Sequence, residues 1–204
     1  MELLVVLAVI AIFVGVFATA IRPGNPSVAV QGAQSQLAGL LTQTRGVAIL
    51  RNAPARLIVN VDADDRDRYL RFLGIVYQDP DNPGNWLAAT DGITLPGGAY
   101  VVTPSPNVAE DVSWNANAVS RFSTGSPFSI PYLSTTAQSY EFIEYQPNGT
   151  ISAASSPVLA VASAQVSSDG QELEFIEPGN VRGVIVRPYG SFVLLNEPAA
   201  FPSE

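Results

Sequence analysis

The order of apolar and polar residues divides the chain into three parts, of which the first is the most apolar. Residues 3–21 form a run of nineteen uncharged residues, and only Gly15 and Thr19 depart from aliphatic, aromatic or Ala character. A helix of this length spans roughly 28 Å, close to the thickness of the hydrocarbon core of a bilayer. Pro23 then ends or bends the helix, because proline disfavours helix at the residue before it. The pattern predicts a membrane-spanning helix within residues 1–22.

A cleavable secretory signal is the alternative interpretation of this segment. Ala18-Thr19-Ala20 has the small-residue spacing of a signal-peptidase site. A signal normally starts with a positive region, whereas the first charged residue here is the acidic Glu2. The apolar run is also longer than the roughly 7–15 residues of a usual signal core. We therefore favour an uncleaved anchor, and both interpretations export the remainder of the protein.

The second part, residues 23–53, predicts a linker followed by an amphipathic helix over 27–52. Apolar residues at helical spacing mark its core-facing side: Leu37, Leu40, Leu41, Val47 and Ala48. Polar residues are expected to face away from that side: Gln34, Gln36, Gln43 and Arg45. Gly39 and Gly46 weaken the helix but permit close approach of another surface. Pro54 closes the segment.

The third part, residues 54–204, has the shorter period of β-structure. Seven stretches read as strands: 56–61, 69–77, 140–145, 158–166, 172–176, 183–187 and 191–195. The first two are predicted to form a hairpin, and Pro188-Tyr189-Gly190 joins the last two. Residues 104–139 are rich in Ser, Asn and Pro, and are predicted to form a surface insertion with one or two short elements. The expected fold class is α+β, a long N-terminal hydrophobic helix packed on a C-terminal antiparallel β-sheet domain.

Composition removes most catalytic chemistry. The sequence has no Cys, His or Lys, which excludes disulfides, thiolate and imidazole metal sites, Ser-His-Asp catalysis and the P-loop lysine. Its formal net charge is −8, and its ten arginines form no basic stripe. Phosphate backbones are therefore repelled, and no nucleic-acid partner is expected. The sequence predicts neither a cofactor nor an enzymatic activity.

Two groups of carboxylates are possible exceptions. Four acidic residues in a stretch of six form a weak calcium candidate: Asp62, Asp64, Asp65 and Asp67. The glycine and the final glutamate of an EF-hand loop are absent, so a solvated hairpin turn is the preferred interpretation, with no metal. Glu141 with Glu144, and Glu172 with Glu174, would serve a glycosidase only if each pair converged on a sugar. Exposed strand carboxylates are the simpler explanation.

The tripeptide Asn148-Gly149-Thr150 fits the acceptor pattern for N-glycosylation. An Asn-Gly turn between strands explains the same residues without a modification. We therefore predict a turn here.

Two motifs in order make the sequence similar to a known family. Met1-Glu2-Leu3-Leu4-Val5-Val6-Leu7-Ala8-Val9-Ile10-Ala11-Ile12 resembles the N-terminal motif of type IV pilins, and Leu37 to Pro54 resembles a helix of the form L-x-x-x-L-x-x-x-R-x-x-A-I-x-R-N-x-P. The second motif is typical of H-type minor pseudopilins of type II secretion and their FimT-like relatives. Tyr145-Gln146-Pro147-Asn148-Gly149-Thr150 is a weaker match to a late F-x-P-x-G-T turn in the same family.

The resemblance implies roles for particular residues. Glu2 would neutralise the terminal amine of a neighbouring subunit during assembly. The membrane anchor and filament core would be formed by Leu3, Leu4, Val5, Val6, Leu7, Val9, Ile10, Ile12 and Phe13. The family helix motif would comprise Leu37, Leu41, Arg45, Ala48, Ile49, Arg51, Asn52 and Pro54. In the family the glutamate is fifth in the mature protein, so prepilin peptidase and N-terminal methylation are implied if a leader lies upstream.

The function implied is that of a minor pseudopilin. Such a subunit is held in the bacterial inner membrane by one helix, carries a periplasmic domain, and joins other pilin-like subunits in a filament that supports protein export. The alternative is a membrane-anchored or secreted β-rich binding module, with the insertion at 104–139 as its ligand surface.

Overall fold

The fold is given by a computed structural model, which describes residues 25–102, 114, 119, 123–124, 137–152, 156–167 and 173–202. Its one long helix in these ranges, α1, covers Pro26–Arg51 and confirms the helix predicted over 27–52. The side chain of Asn25 caps the first turn by accepting from the N–H of Ser27, and Pro26 stands where a missing N–H costs nothing. Asn52 ends the helix in the left-handed conformation, with φ 49°.

Eleven strands follow in the described residues. They are β1 (Ala55–Asn60), β2 (Phe72–Gln78), β3 (Trp86–Ala88), β4 (Ile93–Thr94), β5 (Ala99–Val102), β6 (Ser123–Thr124), β7 (Tyr140–Tyr145), β8 (Val158–Val166), β9 (Leu173–Phe175), β10 (Val181–Val186) and β11 (Phe192–Leu195). All seven predicted strands are present, and two of them, β7 and β8, have the predicted bounds.

The strands form two antiparallel sheets, which agrees with the predicted antiparallel β-sheet domain, although the sequence did not predict the number of sheets. The first has the order β3-β2-β1-β7-β6, with β4 also paired to β2. The second has the order β11-β10-β8-β5, with β9 paired to β8. Apolar alternation along the sequence identifies strands but not their partners, so the division between β7 and β8 is invisible in it.

Helix α1 packs on both sheets and closes the main core. Leu37 and Leu41 are fully buried there, together with Leu57 of β1 and Leu159 of β8. The predicted apolar face of the helix is thus confirmed, although it serves two sheets. A fully buried Leu side chain contributes about 1.5–3 kcal/mol of transfer free energy, so this shared face is a large part of what joins the sheets.

The hairpin predicted from residues 56–61 and 69–77 is confirmed as β1 paired with β2. Its second strand begins three residues later than predicted, because Leu70 adopts a left-handed conformation with φ 54°. The N–H of Leu70 donates to the carbonyl of Asn60, and its carbonyl accepts from Val101, each at 2.8 Å. These bonds hold Leu70 in the turn rather than in the β2 ladder.

Part of the predicted surface insertion at 104–139 belongs to the interior. Trp114 and Val119 are buried in a second cluster beneath β8 and β10. The Trp114 ring meets Phe175 edge-on at 6.2 Å and Phe201 at 5.0 Å between centroids. The predicted surface insertion therefore contributes these two side chains to the interior, since aromatic and branched side chains gain most from burial. The short strand β6 is one of the expected elements.

Gln34 was expected to face away from the core, and this expectation is wrong. Its side chain is buried, and Nε2 donates to the carbonyls of Gly183 on β10 and Leu195 on β11, each at 2.9 Å. The buried amide is stable because both of its hydrogens are paired. Gln34 therefore fixes α1 to the second sheet through directional bonds as well as apolar contact.

We expect Gln34→Ala to lower the free energy of unfolding by about 1–3 kcal/mol, since it removes two buried hydrogen bonds and leaves space beneath the helix. Gln36→Ala is the matched control, because Gln36 is exposed on the same helix and should change stability by less than about 0.5 kcal/mol. Urea unfolding of the full-length protein in detergent measures both. Equal effects of the two variants would contradict this role of Gln34.

Candidate functional site

The residues to which the family resemblance gives an assembly or anchoring role, Glu2 and the apolar residues of 3–21, lie outside the described residues. Among those that are described, no helix is long and apolar enough to cross a membrane. The candidate site in three dimensions is therefore α1 and the turns that contact it.

The buried residues of the helix motif do what their spacing predicts. Leu37, Leu41 and Ala48 all lie in the main core. Asn52, near the C-terminal end of the motif, caps the helix rather than packing in the core. The N–H of Asn52 donates to the carbonyls of Ala48 and Ile49, which satisfies acceptors that a helix end leaves open.

Arg45 was expected to face away from the core, and it is instead partly buried against a turn of the β-rich domain. Its Nε donates to the carbonyl of Gly149 at 3.1 Å, across to the turn between β7 and β8. Gly149 has φ +79°, and a Cβ placed there would lie 2.9 Å from Ile49 Cδ1. A Cβ on Gly190 would collide with the carbonyl oxygen of Gly149. We call Arg45, Ile49, Gly149 and Gly190 the Arg45 junction.

The Arg45 junction joins motifs that are far apart in sequence. Arg45 and Ile49 belong to the helix motif, Gly149 to the late turn motif, and Gly190 to the turn before β11. The two glycines are needed because the helix and two turns meet where no side chain fits. The structure thus gives a packing reason for these motif residues, while the spacing within each motif alone could not show that they touch.

Tyr145 lies beneath this junction, at the end of β7. Its ring is fully buried, and its hydroxyl has no hydrogen-bond partner among the described residues. Burial raises the pKa of Tyr145 to about 12, although the nearby charge of Arg45 acts in the opposite direction. A phenolate is therefore strongly disfavoured at this position.

The exposed face of α1 differs from an ordinary helix surface in its lack of charge over residues 25–44. No charged residue occurs from Asn25 to Thr44. Gly32, Gly39 and Gly46 recur every seven residues, and a Cβ on any of them would have no neighbour within 4 Å in the described part of the protein. Val28 and Leu50 are exposed by 65% and 86%. The expected close approach at Gly39 and Gly46 is thus not made within the described residues.

Arg51, the other arginine of α1, has its guanidinium 5.0 Å from the ring centroid of Tyr77. This contact ties the last turn to β2. Arg51 is therefore placed as a structural residue.

The carboxylates of the β1–β2 loop, which are the weak calcium candidates, include two that accept hydrogen bonds from protein groups. Asp62 Oδ1 accepts from the N–H of Asp64 at 3.1 Å, and Asp65 Oδ2 accepts from Gln138 Nε2 at 2.8 Å. Across the ranges that the structure describes, no three acidic residues come together as metal ligands. Asp67, the fourth candidate, is exposed in the same loop.

The candidate glycosidase pair Glu141 and Glu144 is separated by the sheet. Glu144 lies on the outer face with Phe142, whereas Glu141 shares the inner face with Ile143. Glu144 Oε2 pairs at 2.8 Å with Nε of Arg56, whose guanidinium lies 3.7 Å from the ring centroids of Trp86 and Phe142. Burial lowers the pKa of Arg56, and Glu144 opposes that shift. The arrangement is a closed structural ion pair. In the second candidate pair, Glu172 lies outside the described residues.

Comparison with solved structures gives similar proteins that include a minor pseudopilin and a type IV minor pilin. The minor pseudopilin EpsH from the type 2 secretion system of Vibrio cholerae is 14% identical, with a TM-score of 0.44 over 81% of this protein and 95% of that one. A second EpsH structure is 12% identical, with a TM-score of 0.44 over 84% and 98%. The type IV minor pilin FimU of Pseudomonas aeruginosa is 12% identical, with a TM-score of 0.42 over 81% and 87%.

No protein-family profile and no curated protein sequence matches this sequence.

The buried hydroxyl of Tyr145 predicts a loss of stability in alkali. The usual pKa of a tyrosine is 10.0, whereas the pKa of Tyr145 in the folded protein is about 12. As the pH rises, the unfolded protein therefore loses this proton before the folded protein does. The stability that the protonated Tyr145 gives to the fold is fully present below pH 10. The free energy of unfolding then falls as the pH rises through about 12, by about 2–3 kcal/mol in all.

Tyr145→Phe should remove this component of the pH dependence and should not lower stability at neutral pH, because the lost hydroxyl has no partner among the described residues. Urea unfolding at several pH values from neutral to alkaline measures the difference between wild type and variant. An unchanged slope above pH 10 would show that Tyr145 is not the group responsible.

Proposed function

We propose that the protein is a structural subunit of a pilus-like filament, specifically a minor pseudopilin of a type II secretion pseudopilus or a related type IV pilus-like assembly. Residues 1–22 serve as its inner-membrane anchor and filament-core segment, residues 23–53 as linker and helix, and residues 54–204 as the periplasmic domain. Its partners are other pilin-like subunits, with prepilin peptidase acting on any upstream leader.

The observation that carries this proposal is the uncharged outer face of α1. A helix on the surface of a soluble domain normally places charged residues toward water. Here the helix buries one face on its own sheets and carries no charge on any face from Asn25 to Thr44. Such a surface loses little on desolvation, because it contains few groups that must give up strong hydration.

The glycines of that face favour a helix as its partner. Gly32, Gly39 and Gly46 lie on one side at heptad spacing, and small residues let the backbones of two helices approach closely. Four residues separate the apolar run 3–21 from the start of α1 at Pro26, so a partner helix that packs on α1 would continue toward the apolar run. Two subunits would thus pack along most of the first fifty residues.

Glu2 gives this packing a register. A carboxylate beside Leu3 is costly in an apolar bundle unless a cation neutralises it. The family resemblance implies that this cation is the terminal amine of the next subunit. Only an axial offset that brings the two charges together would then be stable.

Glu2→Ala is expected to abolish most incorporation into filaments while the β-rich domain stays folded, because the neighbouring amine loses its partner. Glu2→Asp keeps the charge and is the matched control, with incorporation closer to wild type. The measurement is the fraction of the protein recovered with sheared filaments from cells that express the cognate assembly system. Normal incorporation of Glu2→Ala would count against the role of Glu2.

Gly39→Leu should leave the fold intact and reduce assembly, since a side chain at this position meets only open space among the described residues but separates two closely packed helices. Leucine is also the better helix former, by roughly 1 kcal/mol. Gly97→Leu, at an equally open position outside α1, is the control.

Filament recovery and thermal unfolding are measured for both glycine variants. Equal recovery with wild-type stability in both would show that the outer face of α1 is not an assembly surface.

A further inference from the structure

The turn between β7 and β8 contains a chemically reactive sequence. Asn148 is exposed, and Gly149 follows it. An asparagine before glycine is prone to deamidation, because glycine has no side chain to keep its backbone nitrogen away from the neighbouring carboxamide. This reactivity is independent of the proposed filament role.

The reaction needs only water. The backbone nitrogen of Gly149, after loss of its proton to hydroxide, attacks Cγ of Asn148, and the bond between Cγ and Nδ2 breaks as ammonia leaves. The resulting succinimide is opened by water at either carbonyl. One product is Asp at position 148, and the other is isoaspartate, in which the backbone runs through Cγ of residue 148 and is one CH2 longer.

The fold engages both reacting groups in hydrogen bonds to other residues. The N–H of Gly149 donates to the carbonyl of Gln146 at 2.8 Å, so the nucleophile is occupied. Asn148 Oδ1 accepts from the N–H of Thr150 at 3.0 Å and from its hydroxyl at 2.7 Å, so the carboxamide is turned toward Thr150. These bonds must open before the nitrogen can reach Cγ.

The Arg45 junction is what keeps this turn closed. Arg45 Nε holds the carbonyl of Gly149 itself, and Ile49 and Gly190 pack against the same residue. We propose that Asn148 is a deamidation site which the fold keeps closed, and that the contact between Arg45 and Gly149 controls how often it opens.

The two products differ in their effect on the junction. Asp at position 148 keeps an oxygen that accepts from Thr150, so the turn and the Arg45 contact persist. Isoaspartate shifts the carbonyl of Gly149 relative to Arg45 by the added CH2, which breaks the hydrogen bond between them. Formation of isoaspartate therefore releases the end of α1 from the turn.

The test follows deamidation of the full-length protein in detergent at mildly alkaline pH by peptide mapping and mass spectrometry, with isoaspartate counted separately. Wild type is expected to react roughly ten-fold more slowly when folded than in denaturant. Arg45→Met should raise the rate in the folded protein by a similar factor, since it removes a charged hydrogen bond. Arg51→Met is the matched control, because Arg51 contacts Tyr77 instead of the turn, and should react as wild type does.

Equal rates in folded and denatured wild type would overturn the proposal, as would equal rates in Arg45→Met and Arg51→Met. Hydrogen exchange at the Gly149 amide gives a test that needs no variant and remains valid if Arg45→Met fails to fold. Slow exchange in wild type supports a closed turn, and exchange as fast as in an unfolded peptide overturns it. Asn148→Asp should unfold at the wild-type temperature, and a large loss of stability would contradict the different effects of the two products.

Discussion

Helix α1 is the element on which the rest of the structure depends, because its one buried face completes the core of two separate antiparallel sheets. Leu37 and Leu41 supply the apolar part of that face. Apolar contact is non-directional, however, and would tolerate a helix that rotates or slides over the sheets. Gln34 and Arg45 remove this freedom, since each donates to backbone carbonyls at fixed positions of the β-rich domain.

The sequence predicts the elements better than their assembly. Periodicity locates α1 and strands such as β7 and β8 because burial on one or both faces leaves a local signature. It places Gln34 outside the core, because a polar residue is normally excluded unless partners exist, and its partners lie at Gly183 and Leu195. The position of Gln34 three residues before Leu37, on the apolar side of the helix, is the local signal, and it is weak.

The same limit applies to the candidate site. The helix motif and the late turn motif are each visible in the sequence, but the contact of Arg45 with Gly149 depends on the path of two sheets between them. Trp114 is a second example. It lies in a Ser- and Asn-rich stretch that predicts a surface loop, yet its side chain is buried in the second cluster. In both cases the missing information is long-range pairing, which no local pattern contains.

The two polar contacts of α1 also set how the molecule bears load. Gln34 contacts the C-terminal end of β11, and Arg45 contacts the turns next to the start of that strand, so the helix and β11 run in opposite directions. The helix advances about 16 Å between these residues, and the strand covers about 17 Å over the matching length. A pull along the helix axis therefore loads both contacts at once, in shear. Tension at the N-terminal end of α1 is therefore transmitted to the sheets through both Gln34 and Arg45. A helix that was attached at only one end would detach from the sheets one turn at a time.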